Sequence, residues 1–223
     1  VAPGLIDIHA HFREPGREDK ETLATGALAA FSGGFTRVCV MPNTNPPLDA
    51  PESIRFILEK AADLPIHIFP IGAITHRQEG LEITEIGEMV QAGAVAISDD
   101  GLPVQNGQVM RYAVEYAQKF KIPVINHAED TYLRNGGVMN ESALSTQFGL
   151  PGNPDISESV MVHRDLEIAE FTNGRIHIPH VSTARSVHLI RQYKKKGLNI
   201  TAEVTPHHLG LSENSLSQFD THA

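Results

Sequence analysis

The sequence predicts an α/β fold in which parallel strands and helices alternate around a barrel. Three observations predict it. Short apolar runs alternate with longer segments of helical period, the pattern of repeated βα units. The runs are apolar at consecutive positions, as in VCVM, IHIFPI and GAVAI, which suits strands covered by helices on one side and by a barrel interior on the other. The residues with chemical potential fall at the carboxyl-terminal ends of these runs, the face on which α/β barrels gather their loops. A length of 223 residues fits one such domain, spanning 1–223.

The first run, Leu5–His11, ends in His9, His11 and Arg13 before a Pro15-Gly16 turn. Residues two apart share one face of a strand, so the two imidazoles can converge on one cation and the guanidinium can reach an anionic group. A helix is predicted over Glu21–Phe31 and a strand over Thr36–Met41, followed by Asn43 in a Pro-rich turn. Pro51–Ala62 reads as a helix, Ile66–Ile71 as a strand, and Ile83–Ala92 as a helix closed by Gly93. The strand Ala94–Ser98 ends in Asp99-Asp100, the helix Gln108–Phe120 follows, and the strand Pro123–His127 ends in His127. Tyr132–Asp155, with four Gly and two Pro, forms a long insertion, either an active-site cover or a plain surface loop. A helix over Ser157–Phe171, a strand over Arg175–His180, a helix over Ala184–Lys196, a strand over Asn199–Val204 and a final helix near Glu213–Phe219 complete the pattern. In the sixth strand Ile176, Ile178 and His180 share a face and His177 points the other way.

Composition narrows the function. A net charge of −9 argues against a nucleic-acid surface, which needs a basic face. No run approaches the roughly 18 apolar residues of a membrane span, and no secretory signal opens the chain. The single Cys39 sits in an apolar run, excludes an internal disulfide and suits the cytoplasm. The partner expected is a small molecule. Twelve histidines beside nine Phe, four Tyr and no Trp point instead to metal.

His9, His11, His127 and His180, with Asp100 or Asp99, offer imidazole and carboxylate donors that suit Zn²⁺, Mn²⁺ or Fe²⁺. Five ligands exceed the needs of one open catalytic zinc, whereas two ions about 3.5–4 Å apart can share a carboxylate. Such a pair activates water and polarises a carbonyl, so amide hydrolysis is the expected reaction class, with Arg13 and Asn43 on a substrate carboxylate. His67, His76, His163, His177, His188 and His222 read as structural or solvated. His207 and His208 follow Thr205-Pro206 at a strand end, where they either line the pocket or cap and support it.

The blocks PGLIDIHAHFREPG, MPNTNPP, ISDDG, INHAED, PDISESVMVHRDLEIAE, HIPHVST and TAEVTPHHL resemble those of dihydroorotases of the type I bacterial kind, in the amidohydrolase superfamily. The resemblance implies a TIM-like (β/α)8 barrel of the metal-dependent hydrolase kind, with about seven βα units in this chain. It implies reversible hydrolysis of the cyclic amide of (S)-dihydroorotate to N-carbamoyl-L-aspartate in pyrimidine synthesis. By the same resemblance His9 and His11 bind one Zn²⁺, His127 and His180 bind a second, Asp100 bridges them, and Arg13 and Asn43 bind the substrate carboxylate. Many superfamily relatives bridge with a carboxylated lysine; no lysine lies between Lys60 and Lys119 here, which counts against hydantoinases and allantoinases. Aspartate transcarbamoylase and a second copy of the chain are the implied protein partners. The family's general acid/base Asp, on an eighth strand, and its small β subdomain have no counterpart up to Ala223, so a partial record of a longer enzyme is expected. The remaining alternatives are another cyclic amidase or a silent scaffold for aspartate transcarbamoylase.

Overall fold

A computed structural model describes residues 1–217 and divides the chain into two compact units, Val1–His127 and Ala128–Ala223. The first unit runs β1 (Leu5–Ala10), α1 (Leu23–Ser32), β2 (Phe35–Val40), α2 (Pro51–Ala61), β3 (His67–Pro70), α3 (Ile86–Ala92), β4 (Ile97–Ser98), α4 (Gly107–Lys119) and β5 (Val124–Ile125). β1, β2 and β3 are joined in parallel, as are β4 and β5, and a parallel bridge from Gly72 to Ile97 links the two groups. Spatial order therefore follows chain order, each step crossing through a helix as parallel pairing requires.

Local chemistry sets the helix starts. Thr22 caps α1 in a reciprocal capping box with Thr25, Pro51 opens α2, and the Asn106 side chain accepts from the Gln108 and Val109 amides ahead of α4. Gly93 ends α3 in the left-handed conformation, as the sequence predicts. Leu23, Ile54, Ile57, Met89 and Met110 are fully buried from the helical layer, each such side chain worth about 1.5–3 kcal/mol of burial. On the other side of the sheet Met41, Ile71, Ala96 and Ile125 form a cluster against which Cys39 and Val95 pack.

In the first strand Leu5 and Ile6 are each 56% exposed and Ile8 is 42% exposed. Among the described residues β1 pairs with β2 alone, which leaves one edge open. β4 and β5 are also shorter than predicted: β4 begins at Ile97 rather than Ala94 and ends at Ser98 as predicted, and the chain leaves β5 at Asn126 to form the loop at its end.

The second unit contains α5 (Thr131–Arg134), β6 (Met139–Asn140), α6 (Ala143–Phe148), β7 (Gly152–Asn153), α7 (Ile156–Thr172), β8 (Ile176–Ile178), α8 (Ala184–Lys195), β9 (Ile200–Ala202) and α9 (Pro206–Gly210). β8 and β9 pair in parallel. All seven predicted strands are present, five in the first unit and these two in the second. The insertion at 132–155 is folded: β6 pairs with β7, Asp130 and Ser142 cap its two short helices, and Asn153 Nδ2 donates to Glu129 Oε1 at 3.0 Å. The predicted last helix is a 3₁₀ turn at Glu213–Leu216, and residues 218 and 219 of that expectation lie outside the described residues. Among the described residues no helix is long and apolar enough to cross a membrane.

Candidate metal centre

The site begins at the end of β1. Alternation places His9 and His11 on one face, with ring centroids 5.1 Å apart and planes at 64°. The His9 amide is held by Asp7 Oδ1 at 2.9 Å. At Arg13 the backbone enters the left-handed region (φ 56°), and the Glu14 amide donates back to the Phe12 carbonyl at 2.6 Å, a γ-turn that only firm surroundings sustain in a non-glycine residue. Glu14 supplies that support. It is buried, accepts the Leu23 amide at 2.7 Å, and is ion-paired with Lys60. Gly16 (φ 89°) lies so close to the neighbouring loop that a Cβ there would sit 1.8 Å from the Asn45 carbonyl oxygen, while the Asn45 amide donates to the Pro15 carbonyl at 3.0 Å.

That loop-to-loop contact carries Asn43 to His11. Asn43 Oδ1 lies 2.9 Å from His11 Nδ1; an amide oxygen only accepts, so Nδ1 holds the proton and Nε2 is left with its lone pair. Burial pushes the His11 imidazole below its ordinary 6.5, with His9 and Arg13 acting the same way against the raising effects of Asn43 and Asp100. The neutral ring is the ligating form.

Asp100, buried at the end of β4, faces these imidazoles. Its Oδ2 lies 3.5 Å from His9 Nε2 and 3.4 Å from His11 Nε2, and its Oδ1 lies 3.8 Å from His127 Nδ1. Each carboxylate oxygen thus addresses a different side, as a bridge demands. Ligand atoms of His9, His11 and Asp100 all lie within 4.8 Å of one another. Tetrahedral zinc with bonds near 2.0–2.1 Å would space its ligands about 3.3–3.4 Å apart, so these residues fit a cation of that size.

Asp99, the other candidate in the sequence, faces away. Its Oδ1 accepts the Ile74 and Thr75 amides at 2.8 and 3.1 Å and its Oδ2 accepts the Thr75 hydroxyl, which pins the loop after β3. Burial lifts its carboxyl to about 6 against the lowering effect of those hydrogen bonds. Neither the Glu14 anchor nor the Asp99 anchor is distinguishable in sequence from an ordinary charged loop residue.

In the second unit His180 follows β8 with φ 37°, half-buried, after the buried residues Ile178 and Pro179. The ladder continues past the strands, with the Val181 amide donating to the Glu203 carbonyl at 2.9 Å and the Glu203 amide to Ile178 at 3.1 Å. His177 is buried on the opposite face, against Thr201 Oγ1 at 2.8 Å and Glu203 at 3.3 Å, the structural role expected of it. His208 caps α9, its Nδ1 2.8 Å from Thr205 Oγ1, and His207 is exposed. His222 lies outside the described residues.

Comparison with known proteins identifies the family and the fold. Residues 1–186 match the family model described as "Dihydro-orotase-like". The chain is 50% identical to a dihydroorotase of Desulforapulum autotrophicum over 225 aligned positions, covering 100% of this chain and 53% of that protein. It is 51% identical to a dihydroorotase of Pelotomaculum thermopropionicum over 221 positions, covering 99% and 52%. The chain spans about half the length of the curated relatives it matches. Among solved structures, L-hydantoinase from Arthrobacter aurescens superposes with a TM-score of 0.81 at 20% identity, over 97% of this chain and 50% of that one. A D-hydantoinase superposes with a TM-score of 0.76 at 22% identity, over 98% and 50%. These likenesses show a TIM-like α/β barrel fold, of which this chain has parallel βα units. The chain belongs to the dihydroorotase-like family.

Proposed function

We propose that this chain carries the metal centre of a dihydroorotase, which opens the cyclic amide of (S)-dihydroorotate to N-carbamoyl-L-aspartate and closes it again in pyrimidine synthesis. The observation that carries the reading is the convergence of His9, His11 and His127 on the two oxygens of one buried carboxylate, Asp100. In this reading His9 and His11 hold one zinc ion, His127 and His180 hold a second, and Asp100 bridges them. The ions supply Lewis acidity, lowering the pKa of water and drawing electron density from the amide carbonyl.

The protein's own contribution is positioning. Asn43 fixes the His11 tautomer so that Nε2 faces Asp100. Asp99 pins the loop beside Asp100 and keeps the two neighbouring carboxylates in separate roles. Arg13, aimed by its turn, grips the substrate carboxylate with two parallel N–H donors, and Asn43 has its amide nitrogen available for the same anion. A bridging aspartate, where hydantoinases and allantoinases are expected to use a carboxylated lysine, favours dihydroorotate over a hydantoin.

The test uses the full-length protein with a panel of dihydroorotate, hydantoin and allantoin. Release of carbamoyl-aspartate alone, lost on treatment with a chelator and restored by Zn²⁺, is the expected result. Turnover of hydantoin or allantoin in preference would overturn the assignment, and no turnover of any of the three would favour a scaffold for aspartate transcarbamoylase.

A further inference from the structure

The carboxylate of Glu158, on the first turn of α7, gathers the donors of the turn that follows His180. Its Oε2 accepts the Ser182 amide at 2.9 Å and the Ser182 hydroxyl at 2.6 Å. Its Oε1 accepts the Thr183 amide at 3.1 Å and the Thr183 hydroxyl at 2.8 Å. Two consecutive residues thus give four donors to one anion. We propose that Glu158 is a positioning residue for His180: by fixing Ser182 and Thr183 it holds the left-handed backbone of His180 and sets the direction of the imidazole toward its metal. The inference rests on the reading of His180 as a ligand.

Three features favour this over simple helix support. Thr183 caps α8 by accepting the Ser186 amide, so that helix amide has an acceptor other than Glu158, whose four bonds at the turn go to Ser182 and Thr183 ahead of the helix. His180 adopts φ 37° without being glycine, a conformation that persists only when its surroundings over-determine it, and the pinned residues stand two and three positions away. Glu158 also lies in the first turn of a 17-residue helix, whose amino-terminal partial charge favours a carboxylate there. Burial pushes its carboxyl up, but the hydrogen bonds from Ser182, Ser186 and Thr183 outweigh burial and hold it ionised below its ordinary 4.5.

Glu158→Gln keeps the shape and replaces one acceptor oxygen by a donor, so one pair of donors loses its partner. In the full-length, metal-free protein, hydrogen exchange at the Ser182 and Thr183 amides should accelerate at least tenfold. After loading with Co²⁺, the ligand-field spectrum should shift, and competition with a chromogenic chelator should show roughly 10–100-fold weaker retention of part of the metal. Ser182→Ala, which removes one hydroxyl donor and spares the fold, should move every readout the same way by less, and it decides the matter if Glu158→Gln does not fold. Faster exchange with an unchanged cobalt spectrum and unchanged retention would reduce Glu158 to a loop fastener and overturn the proposal, as would unchanged exchange. Absence of dihydroorotate turnover in the unsubstituted protein would remove the functional reading while exchange and retention still decided the role of Glu158.

Discussion

The turn after β1 and the turn after β8 place a candidate site residue in the same unfavourable backbone region by different means. Arg13 has φ 56° and His180 has φ 37°, and neither is glycine. The first turn is fastened from inside itself by the very next residue, Glu14, whose charge is met by the Lys60 ammonium. The second is fastened from a helix 22 positions upstream of His180 by Glu158, whose charge is met by neutral amides and hydroxyls alone. A cation satisfies a carboxylate without fixing direction, since one ammonium holds it as a point charge. Four aimed donors fix direction as well. An arginine proposed to grip a substrate can tolerate some freedom, whereas an imidazole proposed to ligate a metal cannot.

The largest effect is expected at the carboxylate that both turns are proposed to serve. Asp100→Ala in the full-length protein should lose bound zinc and lower kcat by more than the 10–100-fold that a supporting residue typically costs. Metal analysis beside initial rates checks it, and full zinc content with full activity would dissolve the site. Glu14→Ala comes next. It strips the Leu23 amide of its acceptor and Lys60 of its partner, at about 1–3 kcal/mol, so the urea midpoint should fall and KM should rise more than kcat drops. A fall in kcat with KM untouched would show that the Arg13 turn does not serve binding.

A smaller effect separates the two anchors by pH. The folded value of Glu158 is depressed, so its ionised form contributes stability that is fully present above the unfolded value near 4.5 and is lost as pH falls through the lower folded value. The urea-midpoint difference between the unsubstituted protein and Glu158→Gln should therefore be flat above about pH 5 and narrow on acidification below the ordinary glutamate value. A difference that widens below pH 4.5 would contradict the sign. The smallest effect belongs to Cys39, outside both turns. Burial, with the charge of Asp7 adding, pushes its thiol up to about 11, so at pH 8 only about one molecule in a thousand carries the thiolate. Labelling by iodoacetamide should be slow until urea is added, and it should leave both turns unaffected.

Much of this was legible in the sequence for a physical reason: periodicity and capping are local. The run LIDIHAHF states its own face alternation, and the seven strands and their helices follow the predicted ranges to within a few residues, β4 and β5 excepted. The choice between Asp99 and Asp100 was not legible. The chain leaves the ladder at that point, so which carboxylate faces His9 depends on the Ile74–Thr75 amides of another loop. Glu14 and Glu158 were missed because a buried, fully bonded glutamate carries no local mark that separates it from a solvated one. The elements within 132–155 were hidden by their shortness, since two-residue strands and one-turn helices have no period to read. α9 did carry a signal, in Thr205-Pro206 ahead of HHL, the pairing of a cap with proline at the first helical position.

The half-paired first strand has a consequence of its own. The Leu5 amide is bonded to the Gly34 carbonyl at 3.0 Å, and in a parallel edge strand alternate amides turn outward. β1 is therefore two strands in one. Its inner margin is part of a ladder that carries His9 into place, and its outer margin, flanked by the exposed Leu5, Ile6 and Ile8, has no strand partner among the described residues. The same six residues thus carry His9 on one margin and, among the described residues, have no strand partner on the other.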